Sequence, residues 1–154
     1  MKTAEATTQD ALDLLKQDHD AVDKLFKRFE KLGEDEEGKQ DCVSQICEAL
    51  TIHASIEEEI FYPKVRKKLA DDEDVMDEAE VEHDGIKRLV AELEDMSAGE
   101  ELYDAKVTVL GEYVKHHVRE EETEMFPKVR KAKVDTAALG AEMAARKAEL
   151  QNQS

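Results

Sequence analysis

The sequence predicts an all-α protein, an up-down-up-down four-helix bundle with a short C-terminal helix. Three observations predict it. Hydrophobic and charged residues each make up 40% of the 154 positions, with two prolines and six glycines, a balance that favours helix over sheet. Apolar residues recur at spacings of three and four in four long segments joined by short polar turns. The chain also repeats itself at an offset of 64 residues. The segment from His53 through Glu57 and Pro63 to Lys67 returns as His117 through Glu121 and Pro127 to Lys131. The shorter segment around His19 returns around His83.

The first helix is expected to start near Thr8 to Asp10, where short polar side chains can cap free amides. Its stripe is Leu12, Leu15, His19, Val22, Phe26 and Phe29, and Gly33 to Gly38 forms the turn. The second helix carries Val43, Ile46, Leu50, His53, Glu57 and Ile60. Pro63, with no amide hydrogen, should kink it or end its regular part. The basic run Lys64 to Lys68 suits the negative end of a helix dipole. Asp71 to Asp74 joins the two halves within one domain. The third helix carries Val75, Ala79, His83, Ile86, Leu89, Val90 and Leu93 and stops around Ser97 to Gly99. The fourth carries Leu102, Ala105, Val109, Tyr113, His117, Glu121 and Met125, before Pro127. Asp135 or Thr136 caps a final helix with Leu139, Met143, Arg146 and Leu150 on one side, packed across the bundle, and Gln151 to Ser154 frayed. Residues 1–154 thus read as one domain, with the bundle over about 9–133 and the last helix over about 135–150.

A formal charge of −17 repels nucleic acid and anionic lipid, so neither is an expected partner. No apolar run approaches the ~20 residues of a membrane span. The first ten residues have no apolar core, so no signal peptide is expected and the default location is cytoplasmic. Cys42 and Cys47, five apart on one helix, point roughly 140° from each other. Both are expected as reduced thiols, with Cys42 inward beside Ile46, Ala49 and His53.

The repeat carries the chemistry. Residues four apart share a helix face, so His53 with Glu57, and His117 with Glu121, can each reach one interior point. His19 and His83 face inward from the other two helices. Four imidazoles and two carboxylates would then meet at one centre. Buried carboxylates need a compensating cation, and two metals bridged by both carboxylates and an oxo or hydroxo group would satisfy the set. Imidazole suits iron, copper and zinc, while bridging carboxylates in a helical bundle point to iron or manganese. His116 also lies four before a glutamate, Glu120, but only His117 keeps the 64-residue offset from His53. His116 is therefore expected to be exposed or outside the ligand set. Glu58 and Glu122, 100° around the helix from the ligand face, are expected to be solvated or to back the ligands.

These residues resemble the hemerythrin-like, or HHE cation-binding, family: His19, His53 with Glu57-Glu58 and Tyr62-Pro63, His83, and His117 with Glu121-Glu122 and Phe126-Pro127. The resemblance covers about Ala11 to Lys131, and Leu139 to Arg146 is similar to the closing helix of bacterial members. It implies a left-handed four-helix bundle with two iron ions, His19, His53, His83 and His117 as terminal ligands, and Glu57 and Glu121 as bridges. It also implies dioxygen, peroxide or nitric oxide as the small-molecule partner.

One position departs from the oxygen carriers of that family, which have two histidines four apart on the third helix. Here Lys87 follows His83 by four and Ala79 precedes it by four. The expectation accordingly moves from reversible carriage toward redox sensing, peroxide decomposition (catalase-like) or ferrous-iron oxidation (ferroxidase-like). Iron storage or homeostasis without oxygen chemistry is the alternative. Three residues could replace the missing histidine or support the centre: Glu80, in Glu80-x-x-His83; Tyr62, before the proline; and Tyr113, four before His117.

Overall fold

The computed structural model describes residues 9–153, and every element in it is helical. Met1 to Thr8 and Ser154 lie outside the described residues, as do the N-terminal stretch in which no signal peptide is expected, the Thr8 end of the first cap and the last residue of the expected frayed end. The order is α1 (Ala11–Glu30), α2 (Glu36–Ile56), a π turn (Glu57–Phe61), α3 (Tyr62–Lys68) and a 3-10 turn (Ala70–Asp72). Then come α4 (Glu73–Glu94), α5 (Tyr103–Glu120), a second π turn (Glu121–Met125), α6 (Phe126–Lys131) and α7 (Thr136–Asn152).

Caps set the starts. Asp10 accepts the amide of Asp13 at 2.9 Å, Asp35 that of Gly38 at 2.9 Å, and Asp135 that of Ala138 at 3.1 Å. Each satisfies an amide that the first turn leaves without an intrahelical partner. α7 runs two residues further than expected, to Asn152.

Neither proline ends its helix. Each stands second in a new α segment, just after a π turn. A proline ring inside an α-helix collides with the carbonyl four residues back, and the wider turn relieves that collision. The π turns also change the register. The amide of Tyr62 bonds to the carbonyl of Glu57, and that of Phe126 to Glu121, both i to i+5. Glu57 and Glu121 therefore each share a face with the aromatic residue five positions on. An unbroken α-helix would put that aromatic side chain about 140° away.

Two apolar clusters fill the interior. One gathers Leu12, Leu15, Ile56, Phe61, Tyr62, Met76, Met125, Phe126, Leu139 and Met143. The other gathers Val22, Phe26, Ile46, Leu50, Ile86, Val90, Leu110 and Val114. On each long helix the histidine falls between residues of the two clusters, as His19 does between Leu15 and Val22. The four histidines thus form a polar layer in the middle of the bundle.

The fourth helix turns differently from the expected stripe. Its buried face is Tyr103, Val107, Leu110, Val114 and His117. Leu102, Val109 and Tyr113 are 61%, 36% and 48% exposed, so the stripe through them is corrected. Leu102 precedes the helix with φ 74°, which breaks the periodicity there. Both cysteines are buried and free, and burial pushes the Cys47 thiol up to about 11, unreactive at neutral pH.

α7 packs on α1, α2 and the first π turn. Gly140 permits it: a Cβ there would stand 2.6 Å from the carbonyl oxygen of Gln9 and 2.8 Å from the nitrogen of Ala11.

Candidate metal centre

The structure brings His19, His53, Glu57, His83, His117 and Glu121 into one buried layer, none more than 8% exposed. The Nε2 atoms of the four imidazoles surround the two carboxylates. Glu57 faces His53 through Oε2 (3.3 Å) and His83 through Oε1 (2.9 Å). Glu121 faces His19 through Oε1 (3.1 Å) and His117 through Oε2 (3.2 Å). Two groups of potential ligand atoms result: His19, His53, Glu57 and Glu121, and His83, His117, Glu57 and Glu121. Both carboxylates belong to both groups, one oxygen in each, which is the placement a bridging carboxylate needs.

Four further carboxylates fix the rings. Nδ1 of His19 bonds Glu122 (2.6 Å), His53 bonds Asp18 (2.9 Å), His83 bonds Glu58 (2.7 Å) and His117 bonds Glu82 (2.7 Å). An ionised carboxylate only accepts, so each Nδ1 carries a hydrogen, and each Nε2, aimed inward, is the atom that can give up its proton to a metal. Asp18 and Glu82, absent from the residues singled out by sequence, were detectable. They immediately precede His19 and His83 and are themselves 64 residues apart.

Tyr62 reaches the second group. Its hydroxyl lies 3.2 Å from Glu57 Oε1, 3.2 Å from His83 Nε2 and 3.3 Å from His117 Nε2, and it donates to Glu121 Oε2. The first group has Phe126 at the corresponding place, stacked on His19. The two halves are therefore chemically unlike at one position.

Glu80 and Tyr113 lie elsewhere. The Glu80 carboxylate is exposed and meets Arg66 at 3.3 Å; it shares a helix with His83 but faces outward. Tyr113 lies toward Gly85 on the surface, 40° off the His117 face because four residues are slightly more than one turn. His116 is 61% exposed, its Nε2 3.2 Å from Glu82. Lys87, where the oxygen carriers have histidine, bonds Glu58 at 2.6 Å and holds the carboxylate that holds His83.

The donor set fits cations. His19 Nε2, His53 Nε2, Glu57 Oε2 and Glu121 Oε1 are buried without a hydrogen-bond partner, and these four atoms make up the first group. They face one another as His19 with Glu121 at 3.1 Å and His53 with Glu57 at 3.3 Å, and two buried carboxylates there are costly unless protons on the imidazoles or a metal ion neutralise them. In the second group the Tyr62 hydroxyl lies against all four atoms and donates to Glu121 Oε2, while His83 Nε2 meets Glu57 Oε1 at 2.9 Å.

Electrostatics agree. Burial disfavours the charged form of every imidazole, yet the two glutamates reverse it: Glu57, with Asp18, raises His53 to about 10, and Glu121, with Glu57 and Glu82, raises His117 to about 12. His19 and His83 also move up, drawn by Glu121 and Glu57. Glu57 lies well below the usual carboxylate range, because His53 and its hydrogen bonds outweigh its burial. Burial, followed by Glu121 and Glu57, pushes the Tyr62 phenol well above its ordinary 10. Such a site takes up positive charge, as protons or as metal ions.

Fold and donor set together define a cation-binding helical bundle. The comparisons agree. The hemerythrin HHE cation-binding domain pattern matches residues 10–129, and the chain belongs to that family. It is 32% identical over 120 residues to a DNA nickase of a Nostoc species, a match covering 77% of this chain and 33% of that protein. The chain thus spans about a third of that relative's length. Its fold is similar to the crystal structure of a hemerythrin HHE cation-binding domain-containing protein from Mycobacterium kansasii, with a TM-score of 0.80, 21% identity, and 94% of this chain and 88% of that one covered.

Proposed function

We propose that this chain is a non-haem di-iron protein that binds or reacts with dioxygen, peroxide or nitric oxide. The observation that carries the reading is the pair of fully buried carboxylates, Glu57 and Glu121, that each belong to both groups of buried imidazoles. His19, His53, Glu57 and Glu121 would hold one iron, and His83, His117 and the same glutamates the other, with Tyr62 at hand for the second. Bound there, the irons supply one-electron exchange between ferrous and ferric states.

The chain's own residues set what can reach them. A cavity of about 30 Å³ lies against all four imidazoles, walled by Val22, Leu50, Ile86, Val114 and Val118. It has room for one or two water-sized molecules, which suits a diatomic gas or hydrogen peroxide and rejects organic substrates. Its aliphatic walls offer no hydrogen bond to hold a bound oxygen species, and Tyr113, which could have donated one, faces outward. Lys87, in the place of the carriers' second third-helix histidine and turned to Glu58, disfavours reversible carriage against peroxide decomposition, ferrous-iron oxidation or redox sensing. Storage finds little support, since this interior space holds a molecule and not a mineral. A net charge of −17 repels DNA at long range, which weighs against carrying over the action of the longer nickase relative.

The test is to load the protein with ferrous iron anaerobically, add dioxygen, peroxide or nitric oxide in turn, and follow the visible spectrum and peroxide consumption. A response to at least one of them, with the iron retained, is expected. A spectrum indifferent to all three would overturn the reading.

A further inference from the structure

The carboxylates that back the histidines also use their outer oxygens. Asp18 meets the ammonium of Lys147 on α7 at 2.6 Å. Glu58 meets Lys87 at 2.6 Å. Glu82 is different. Its Oε2 faces His116 Nε2 at 3.2 Å, and no lysine or arginine is paired with it among the described residues.

The 64-residue repeat explains the difference. The face that carries Glu82, His116 and Glu120 corresponds to Asp18, Ile52 and Ile56 in the first half. There α7 lies over the isoleucines and brings a cation to Asp18. On α4 and α5 the corresponding face carries an imidazole and a carboxylate one helical turn apart, with His116 61% exposed. Donor atoms of Glu82, His116 and Glu120 lie within 4.8 Å of one another. Beside them a small cavity of about 10 Å³ is walled by Glu78, Glu82, Glu120 and Glu124 on the outside and by His117 and Glu121 within.

We propose that Glu82, His116 and Glu120 bind one divalent transition-metal cation, in the place that the Lys147 ammonium takes on the other half, and that this ion feeds the buried centre. One imidazole and two carboxylates suit ferrous iron, manganese or zinc better than calcium or magnesium. The half-exposed position lets the side chains close to the ~2.0–2.2 Å such an ion needs. The cavity then leads past acidic walls to His117 and Glu121, two ligands of the centre. Only the feeding role rests on the di-iron reading; the surface site does not.

Mn2+ is the probe, because it binds nitrogen and oxygen ligands more weakly than iron and leaves a loaded centre in place. Metal-loaded wild type, His116→Ala and Glu120→Gln are titrated with Mn2+, with free Mn2+ read by electron paramagnetic resonance. Wild type should bind one ion per chain more than either variant, and equal binding would overturn the site. In stopped flow, anaerobic filling of the buried centre of the apo-protein with Fe2+ should be slower in both variants at unchanged final occupancy of that centre. An unchanged rate would overturn the feeding role. If the protein holds no iron at all, the di-iron reading fails, while the difference between wild type and variants still reports the surface ion.

Discussion

Replacing Asp18 by Asn tests whether the outer carboxylates tune the centre. Asparagine keeps the size and an oxygen for the Nδ1 hydrogen of His53, now 2.9 Å from Asp18, and removes only the charge. Loss of a carboxylate behind a ligating histidine typically weakens metal binding by 10–100-fold, or about 1.4–2.7 kcal/mol. Position within that range follows exposure. Asp18 is 8% exposed, so its charge is poorly screened and the effect should lie near 100-fold. The side chains of Glu58 and Glu122 are 35% and 34% exposed, so Glu58→Gln and Glu122→Gln should lie nearer tenfold. Lys147→Met, which leaves the Asp18 charge in place, should weaken binding less than Asp18→Asn does. The assay is competition with a chelator of known affinity, with circular dichroism to show that the fold persists. An Asp18→Asn protein that is folded and binds metal within twofold of wild type would refute the reasoning.

Three further outcomes follow from the same geometry. Tyr62→Phe makes the second half match Phe126 in the first, and it removes a buried bond to Glu121; the apo-protein should lose about 1.5–3 kcal/mol in urea denaturation while metal content stays the same, and unchanged stability would count against the bond. For pH, the raised His53 stabilises the apo-protein fully below its ordinary 6.5 and progressively less up to about 10, whereas the lowered Glu57 stabilises it above its ordinary 4.5 and less on acidification. Apo stability should thus peak between pH 4.5 and 6.5, and metal addition near neutrality should release protons; an apo-protein that gains stability from pH 6.5 to 10 would contradict this. Gly140→Ala would press a methyl group onto the backbone of Gln9 and Ala11 and cost about 1–3 kcal/mol in thermal denaturation, since backbone cannot step aside as a flexible side chain can.

The sequence made the bundle and its ligand layer readable because both rest on periodicity. His19, His53, His83 and His117 fall on inward stripes, and the 64-residue offset distinguishes His117 from His116. Local rules failed where the helix period itself changed. Nothing in the α spacing places Tyr62 over Glu57; the π turn before Pro63 does, by making i and i+5 coincide. The same spacing argument misplaced Tyr113, because the buried face of α5 runs through Val107, Leu110 and Val114 to His117 at its edge, and a step of four back from that edge leads outward. Glu80 shows the limit of a motif: the Glu-x-x-His spacing is present, but Arg66 on α3 holds the glutamate outside. Asp18 and Glu82 lay within the repeat all along, and only the fold shows that they meet His53 and His117 across helices.

The central claim is a dinuclear centre, and the most direct test is the metal content of the purified chain by elemental analysis, with Glu57→Gln and Glu121→Gln alongside. The account predicts two irons per wild-type chain and, because each glutamate serves both groups, loss of both ions in either variant. A wild-type chain that binds no iron, or variants that each keep one tightly bound ion, would contradict it.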